Sequence, residues 1–374
     1  MPAPLDPSRP IRWGFLGAGW IADKVGRDLV ASPEHDLVAI GARSAARAGE
    51  LAHALGADAR CFGSYQELVD DAGVDVVYVA TPHSHHHEHA LLALRAGKPV
   101  LVEKAFTLTA RQAREVIAEA GARDLFCMEA MWMRTNPLVL RAQALVADGA
   151  IGEPLSVTAD HGQRFAYDPR GRLFAMELGG GALLDLGVYS VTAAWLFLGR
   201  PPGVVATGEL SPTGSDLTTA MQWSYDDGRF AHISATTRSL TPTTATVVGT
   251  DGWLRLDGPF YDPPRIVLGS PEGVEHVIER GDHSHPYRPE LEEVARCLRA
   301  GRLESERMTW ADTIAIMELM DGARRQVGVR YTADDADGAA AVDADAAAAA
   351  AAVDAVADAA DTDAAVDGAS DGRV

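Results

Sequence analysis

The chain has 374 residues, 47% of them hydrophobic, and a formal net charge of -20. That length allows two ordinary domains, and that apolar share gives each a packed core. So acidic a chain repels nucleic acid and anionic membranes, which excludes both as expected partners.

The two ends read differently from the middle. Residues 1–10 are Pro-rich and read as a flexible arm. Residues 332–374 hold 11 aspartates, one Arg, many alanines and no aromatic residue. About half the net charge sits there. Such a segment cannot bury enough apolar surface to offset its chain entropy, so a disordered acidic Ala/Asp-rich tail is expected. Recurrent aspartate and the lack of an apolar stripe argue against an Ala-rich helix. The three cysteines, Cys61, Cys127 and Cys297, are too few and too scattered for a disulfide framework. No apolar run reads as a membrane span, and no signal peptide is visible. These features predict a cytoplasmic protein. Thirty of the basic residues are Arg and only Lys24, Lys98 and Lys104 are Lys. A lysine is then the exception, and its amine can lose a proton where Arg cannot.

In chain order, short apolar runs first alternate with helical patterns. Residues 11–16, 37–42, 74–80, 100–103 and 125–128 read as strands. Residues 44–55, 86–96 and 109–120 read as amphipathic helices. That alternation predicts a Rossmann-type parallel sheet with helices on both faces over 11–130. A helix over 136–147 follows, and then β-rich runs at 218–225, 229–237, 243–248 and 253–256. Asp226-Asp227-Gly228 joins two of them as a hairpin turn. An apolar helix over 181–198 interrupts the strands, and helices return at 289–300 and 309–327. The second domain, 131–331, is therefore expected to be α+β with a largely antiparallel sheet.

The chemistry-bearing motifs lie where strands end. Gly17-Ala18-Gly19-Trp20-Ile21-Ala22 follows the first strand and opens a helix. In that context it reads as a dinucleotide loop: Gly17 for the tight turn, Gly19 for close approach of a pyrophosphate, Ala22 for helix–sheet packing. After the second strand there is no acid for a ribose hydroxyl. Arg43, Ser44 and Arg47 stand there instead, a set suited to a 2′-phosphate, which favours NADP(H) over NAD; two solvated arginines are the plain alternative. Thr81-Pro82-His83-Ser84-His85-His86 follows the third strand, and His87 and His89 extend the cluster. Its spacing admits a metal site, but no partner set is visible, so one or two histidines are expected to line the cofactor site. Glu103-Lys104 follows the fourth strand. Neighbours at a strand end point apart, so Lys104 reads as an ammonium beside the substrate rather than a partner of Glu103. Gly179-Gly180-Gly181 precedes Asp185 and Tyr189, which are four apart on one helix face. The glycines would let a ligand approach. A carboxylate and a phenol there suit hydroxyl binding and proton transfer, or else are buried polar groups satisfied by the core.

Together these motifs resemble the Gfo/Idh/MocA oxidoreductase family, over about residues 11–331. Met128-Glu129-Ala130-Met131-Trp132-Met133-Arg134, with Arg43, Arg47 and Tyr189, resembles its dimeric dihydrodiol dehydrogenase and NADP-dependent D-xylose dehydrogenase branch. The resemblance implies that Lys104 and Tyr189 are the catalytic pair and that Trp132 and Arg134 lie beside cofactor or substrate. It implies a homodimer formed through the open face of the second sheet. It also implies hydride transfer between NADP(H) and a sugar, polyol or cyclic diol. On that reading Tyr189 exchanges the proton with the substrate hydroxyl, its phenol pKa lowered by the Lys104 ammonium, with Lys104 itself or Asp185 as the reserve proton carrier. Ala105 departs from the family's usual Pro and predicts a looser turn around Lys104. Phe165, Tyr167, Arg172 and Trp253 are candidate pocket walls. An NAD-dependent sugar or inositol dehydrogenase, and a catalytically silent NADP-binding sensor, remain the alternatives.

Overall fold

The computed structural model describes residues 5–334. Its first sheet is laid down by β1 (Ile11–Leu16), β2 (His35–Gly41), β3 (Arg60–Phe62), β4 (Val76–Val79), β5 (Val100–Glu103) and β6 (Cys127–Ala130). The order is β3-β2-β1-β4-β5-β6, with every pair parallel. Helices α1 (Trp20–Val30), α2 (Ala45–Leu55), α3 (Tyr65–Val69), α4 (His83–Arg95) and α5 (Ala110–Ala122) connect them. β4 and β5 are buried throughout, as strands covered on both faces must be. Ser44, Ser64 and Thr109 each cap a helix with the side-chain oxygen. The strand order reverses between β1 and β4, so a crevice opens above their C-terminal ends.

The second sheet is built after α6 (Pro137–Ala147), from β7 (Pro154–Gly162), β8 (Gly203–Leu210), β9 (Asp216–Ser224), β10 (Phe230–Thr236), β11 (Ala245–Gly249), β12 (Trp253–Leu256), β13 (Arg265–Ser270) and β14 (Gly273–Glu279). Its order is β14-β13-β12-β11-β7-β10-β9-β8, antiparallel except for β7 with β10. The hairpin at Asp226-Asp227-Gly228 joins β9 to β10. One face carries Val157, Ala159, Ala231, Ile233, Val247 and Leu254, all buried. Helices α7 (Val188–Leu198) and α9 (Trp310–Val327) pack on the sheet. The register aligns Val205, Phe230, Val248 and Val277 with the opposite face, where all four are exposed. Helix α8 (Arg288–Arg299) returns the chain to α1.

Three expectations need correction. The helix at 181–198 starts as a π turn, Leu183–Gly187, and becomes α7 only at Val188. The helical run Met176–Leu198 is long and apolar enough to cross a membrane, contrary to the sequence reading; 83% of its most apolar stretch is buried inside the protein, so it is a core helix here. The arm is not loose as far as residue 10, because Arg9 makes a two-pronged pair with Asp75 at 2.5 and 2.9 Å. The acidic tail lies, from residue 335, outside the described residues; Thr332–Asp334 forms a 3-10 turn.

Candidate active site

Gly17 closes β1 with φ of +111°, and a Cβ there would sit 2.6 Å from the Ala80 carbonyl oxygen. Only glycine fits both demands. Gly19 is the N-cap of α1; it offers no side-chain cap, and no atom lies within 4 Å of where its Cβ would be. The first N–H groups of α1 therefore face open space, the arrangement an anionic pyrophosphate needs. Gly19, Trp20 and Ile21 form one end of a cavity of about 530 Å³ whose other walls come from β4, β5 and the second domain. A dinucleotide fits this end on those grounds.

Lys104 enters the cavity from the end of β5. Its Nζ donates to the Asp185 backbone oxygen at 2.8 Å and to Asp185 Oδ1 at 3.2 Å. The same carboxylate takes Arg172, Nη1 to Oδ1 at 2.9 Å and Nη2 to Oδ2 at 3.2 Å. Burial alone would push the Asp185 carboxyl up; the charges of Lys104 and Arg172 outweigh it and hold the carboxyl well below the ordinary range. Asp185 is thus held as the carboxylate counter-ion of Lys104 and Arg172. Glu103 is buried, with its carboxyl pushed up by burial despite the Tyr78 hydroxyl that donates to it. It pairs with Lys104 only through the Lys104 backbone N–H, at 3.2 Å.

Tyr189 faces Lys104, whose Nζ lies 5.0 Å from the ring centroid. Trp132 Nε1 donates to the Tyr189 oxygen at 2.9 Å. The phenol is pushed well above its usual value, first by burial and then by the Glu103 charge. This overturns the expected lowering by Lys104, because burial and the Glu103 charge dominate. Tyr189 stays a phenol, with its own O–H free of the Trp132 bond and able to donate. Tyr261 packs 4.6 Å from the Tyr189 ring, and Trp132 stands 4.7 Å from Tyr287. An aromatic box with one lysine and one phenol suits a compact ring or chain bearing hydroxyl groups.

Comparison with known proteins agrees with this geometry. Residues 11–131 match the Gfo/Idh/MocA model described as an oxidoreductase family with an NAD-binding Rossmann fold, and residues 139–255 match the Gfo/Idh/MocA C-terminal domain. The chain is 37% identical to D-xylose 1-dehydrogenase (NADP(+)) of Hypocrea jecorina, over 86% of this chain and 93% of that one. It is 36% identical to trans-1,2-dihydrobenzene-1,2-diol dehydrogenase of Danio rerio, over 87% and 99%. The chain belongs to the Gfo/Idh/MocA oxidoreductase family. Among solved structures, the 3-ketoreductase KijD10 of Actinomadura kijaniata, in complex with NADP and TDP-benzene, superposes with a TM-score of 0.77 at 26% identity, covering 85% of this chain and 98% of that one.

Within this Gfo/Idh/MocA chain, the cavity gathers most of the residues singled out by sequence: Gly19, Trp20, Ile21, Thr81, Pro82, His83, His86, Glu103, Lys104, Trp132, Asp185 and Tyr189, with Phe165 and Arg172 as walls. Arg43, Ser44 and Arg47 do not line it. They stand at the end of β2, where Ser44 caps α2 and Arg47 pairs with Glu50 at 2.8 Å. Arg134 does not line the cavity either: it is buried and its Nη2 donates to Asp312 of α9 at 2.5 Å. Tyr167 packs on Phe174, and Trp253 sits on the outer sheet face, so neither is a wall. Gly179 and Gly180 serve chain packing and not ligand approach. A Cβ on Gly179 would meet Leu108 and His83, and one on Gly180 would meet the Leu173 backbone.

The histidines divide. His83 places its ring nitrogens against the carbonyls of Gly179 and Lys104, at 3.1 and 3.2 Å. His86 does the same with Ala105 and Thr81, at 2.9 and 2.7 Å. Burial drives their pKa values down to about 4 and about 3. The two rings contact the Lys104 and Ala105 carbonyls from one side. His85 stacks on His89, and His87 pairs with Glu115. Among the described residues no group of three or more His, Cys, Asp or Glu side chains converges as a metal site. Sequence reasoning missed His161, Gln163, Tyr261 and Tyr287 as walls. Tyr261 and Tyr287 carried a signal: each is an aromatic residue set among prolines between regular elements.

Proposed function

We propose that this chain is an NADP-dependent dehydrogenase acting on the carbinol of a sugar, polyol or cyclic diol, and on the matching carbonyl in reverse. One observation carries the reading: an uncapped glycine helix start and a lysine–phenol pair open into the same cavity. When bound, NADP(H) would supply the hydride acceptor or donor, with its pyrophosphate on Gly19, Trp20 and Ile21. Lys104 exchanges the proton with the substrate oxygen. Tyr189 donates a hydrogen bond to that oxygen and remains protonated. Asp185 holds Lys104 in place, and Trp132 fixes the Tyr189 hydroxyl. The names of the fungal and zebrafish relatives, one a D-xylose and the other a dihydrobenzene-diol dehydrogenase, support the substrate class.

The test is NADP+ reduction, followed by absorbance, against aldoses, inositols and trans-cyclic diols. Turnover on at least one of them is expected. Tight cofactor binding with no turnover on any would favour the silent sensor. The same assay addresses cofactor choice. Arg43 is exposed and makes no ion pair among the described residues, whereas Arg47 is held by Glu50. A charge-assisted hydrogen bond to phosphate contributes about 1.5–3 kcal/mol. Arg43→Ala should therefore raise the KM for NADP+ by about 10- to 100-fold and leave NAD+ kinetics nearly unchanged. Equal use of both cofactors by the unmodified chain would sink that assignment and admit the NAD-dependent alternative.

We also read the chain as a homodimer of the cytoplasm. Val205, Phe230, Val248 and Val277 are exposed apolar residues spread over the uncovered face of the second sheet, which a second copy would bury. Cys61, Cys127 and Cys297 are free thiols, consistent with a reducing compartment. Sedimentation showing only a 39.6 kDa species would overturn the dimer.

A further inference from the structure

We propose that Arg172 is a positioning residue that governs how readily Lys104 gives up its proton, by competing with it for Asp185. The inference rests on the reading of Lys104 as the proton carrier. Three groups meet at one carboxylate. Asp185 Oδ1 lies 3.2 Å from Lys104 Nζ and 2.9 Å from Arg172 Nη1, and Oδ2 lies 3.2 Å from Arg172 Nη2. The Lys104 and Asp185 side chains are 14% and 7% exposed, while that of Arg172 is 57% exposed. A buried lysine facing a buried carboxylate alone would be locked as an ammonium, which is the wrong state to accept a proton. A second cation on the same carboxylate divides its charge and repels the ammonium. Arginine cannot relieve that repulsion by losing a proton, so lysine does.

The balance of the step follows. In oxidation, the neutral Lys104 amine takes the hydroxyl proton as the substrate O–H breaks, and the carbinol C–H pair would leave as hydride to a bound nicotinamide, the oxidant of the proposed function. Lys104 ends as an ammonium and must pass one proton to water before the next turnover. Arg172 favours that release. Arg172 arrives on the irregular stretch between β7 and the π turn, which also brings Phe165 to the cavity. The other ionisable groups facing the pair are His83, whose Nε2 is 4.0 Å from Asp185 Oδ1, together with His161, Glu103, Tyr189 and Tyr261. Burial keeps His83 and His161 neutral at ordinary pH, with pKa values of about 4. Arg172 is therefore the group that supplies the opposing positive charge.

Two readouts test this on the full chain. The first needs no activity. With only three lysines, amine acetylation by a small reagent can be followed residue by residue by mass spectrometry, with exposed Lys24 as internal control. Arg172→Gln should slow labelling of Lys104 at fixed mildly alkaline pH by about 3- to 10-fold, the effect of one nearby charge discounted for solvent screening. Lys24 labelling should not change. The second is the pH profile of alcohol oxidation, which should move upward by about 0.5 to 1 pH unit, so that activity lost near neutrality returns at higher pH. Arg172→Lys, which keeps a cation but not the two-pronged contact, should restore both in part. An unchanged Lys104 labelling rate in Arg172→Gln overturns the proposal, as does a loss of turnover that no pH recovers. A raised substrate KM with an unmoved profile would make Arg172 a plain substrate contact. If the unmodified chain oxidises no polyol, the proposed function fails, and the labelling arm still decides the Arg172 competition.

Discussion

Lys104→Met should lower turnover by about 10²- to 10⁴-fold, the ordinary cost of removing a positioned acid or base. Tyr189→Phe should cost only about 10- to 100-fold, the range for one lost hydrogen bond to a charged or developing-charge oxygen. The asymmetry comes from the environments. Lys104 reaches the cavity with a carboxylate that keeps its amine in place. Tyr189 is buried beside Glu103, which resists phenolate, and takes a hydrogen bond from Trp132 on its oxygen. Its remaining service is to donate. The pH profile separates the roles further. Tyr189→Phe should keep the limb seen in the unmodified chain, and Lys104→Met should flatten it. NADP(H) affinity, measured by fluorescence titration, should hold in both, since neither side chain touches the Gly19 end. If Tyr189→Phe loses as much as Lys104→Met and also loses the limb, Tyr189 is the proton carrier.

The strands of the first sheet were legible because strands buried on both faces are continuous apolar runs between turn signals. β1 and β5 have the bounds that the sequence predicts. β3 and α3 were not legible: Arg60-Cys61-Phe62 is too short for a period, and α3 has five residues. β8 has mostly exposed residues and a glycine near each end, so its alternation is faint. Lys104 stood out by chemistry, as one of three lysines beside thirty arginines. What sequence could not give was the partner of each charge. Lys104 and Asp185 are 81 residues apart, and Arg172 joins them from an irregular loop. Only the closure of the second domain over the first brings them together. The fall predicted for the Tyr189 pKa failed because it left out burial and the Glu103 charge, which push the phenol up.

Asp185→Ala should then be among the most damaging changes to stability, because it strands a buried ammonium. Breaking a buried pair from one side costs about 3–5 kcal/mol. The low end is expected here, because the half-exposed Arg172 can turn to solvent and leave only Lys104 uncompensated. The sign with pH is fixed by the depressed carboxyl. Its contribution is fully present above the ordinary carboxylate range, near pH 4, and is lost as pH falls through the folded-state value below it. Denaturant unfolding of the unmodified chain should accordingly weaken in that acid window, and that of Asp185→Ala should weaken less. Removing both charges supplies the decisive comparison. Lys104→Met with Asp185→Leu replaces the pair by apolar groups of similar size, which is often neutral or stabilising. The double variant should recover most of the stability lost in Asp185→Ala while staying inactive. A double variant no more stable than Asp185→Ala would mean that the loss is a packing defect at the π turn and not an unpaired charge.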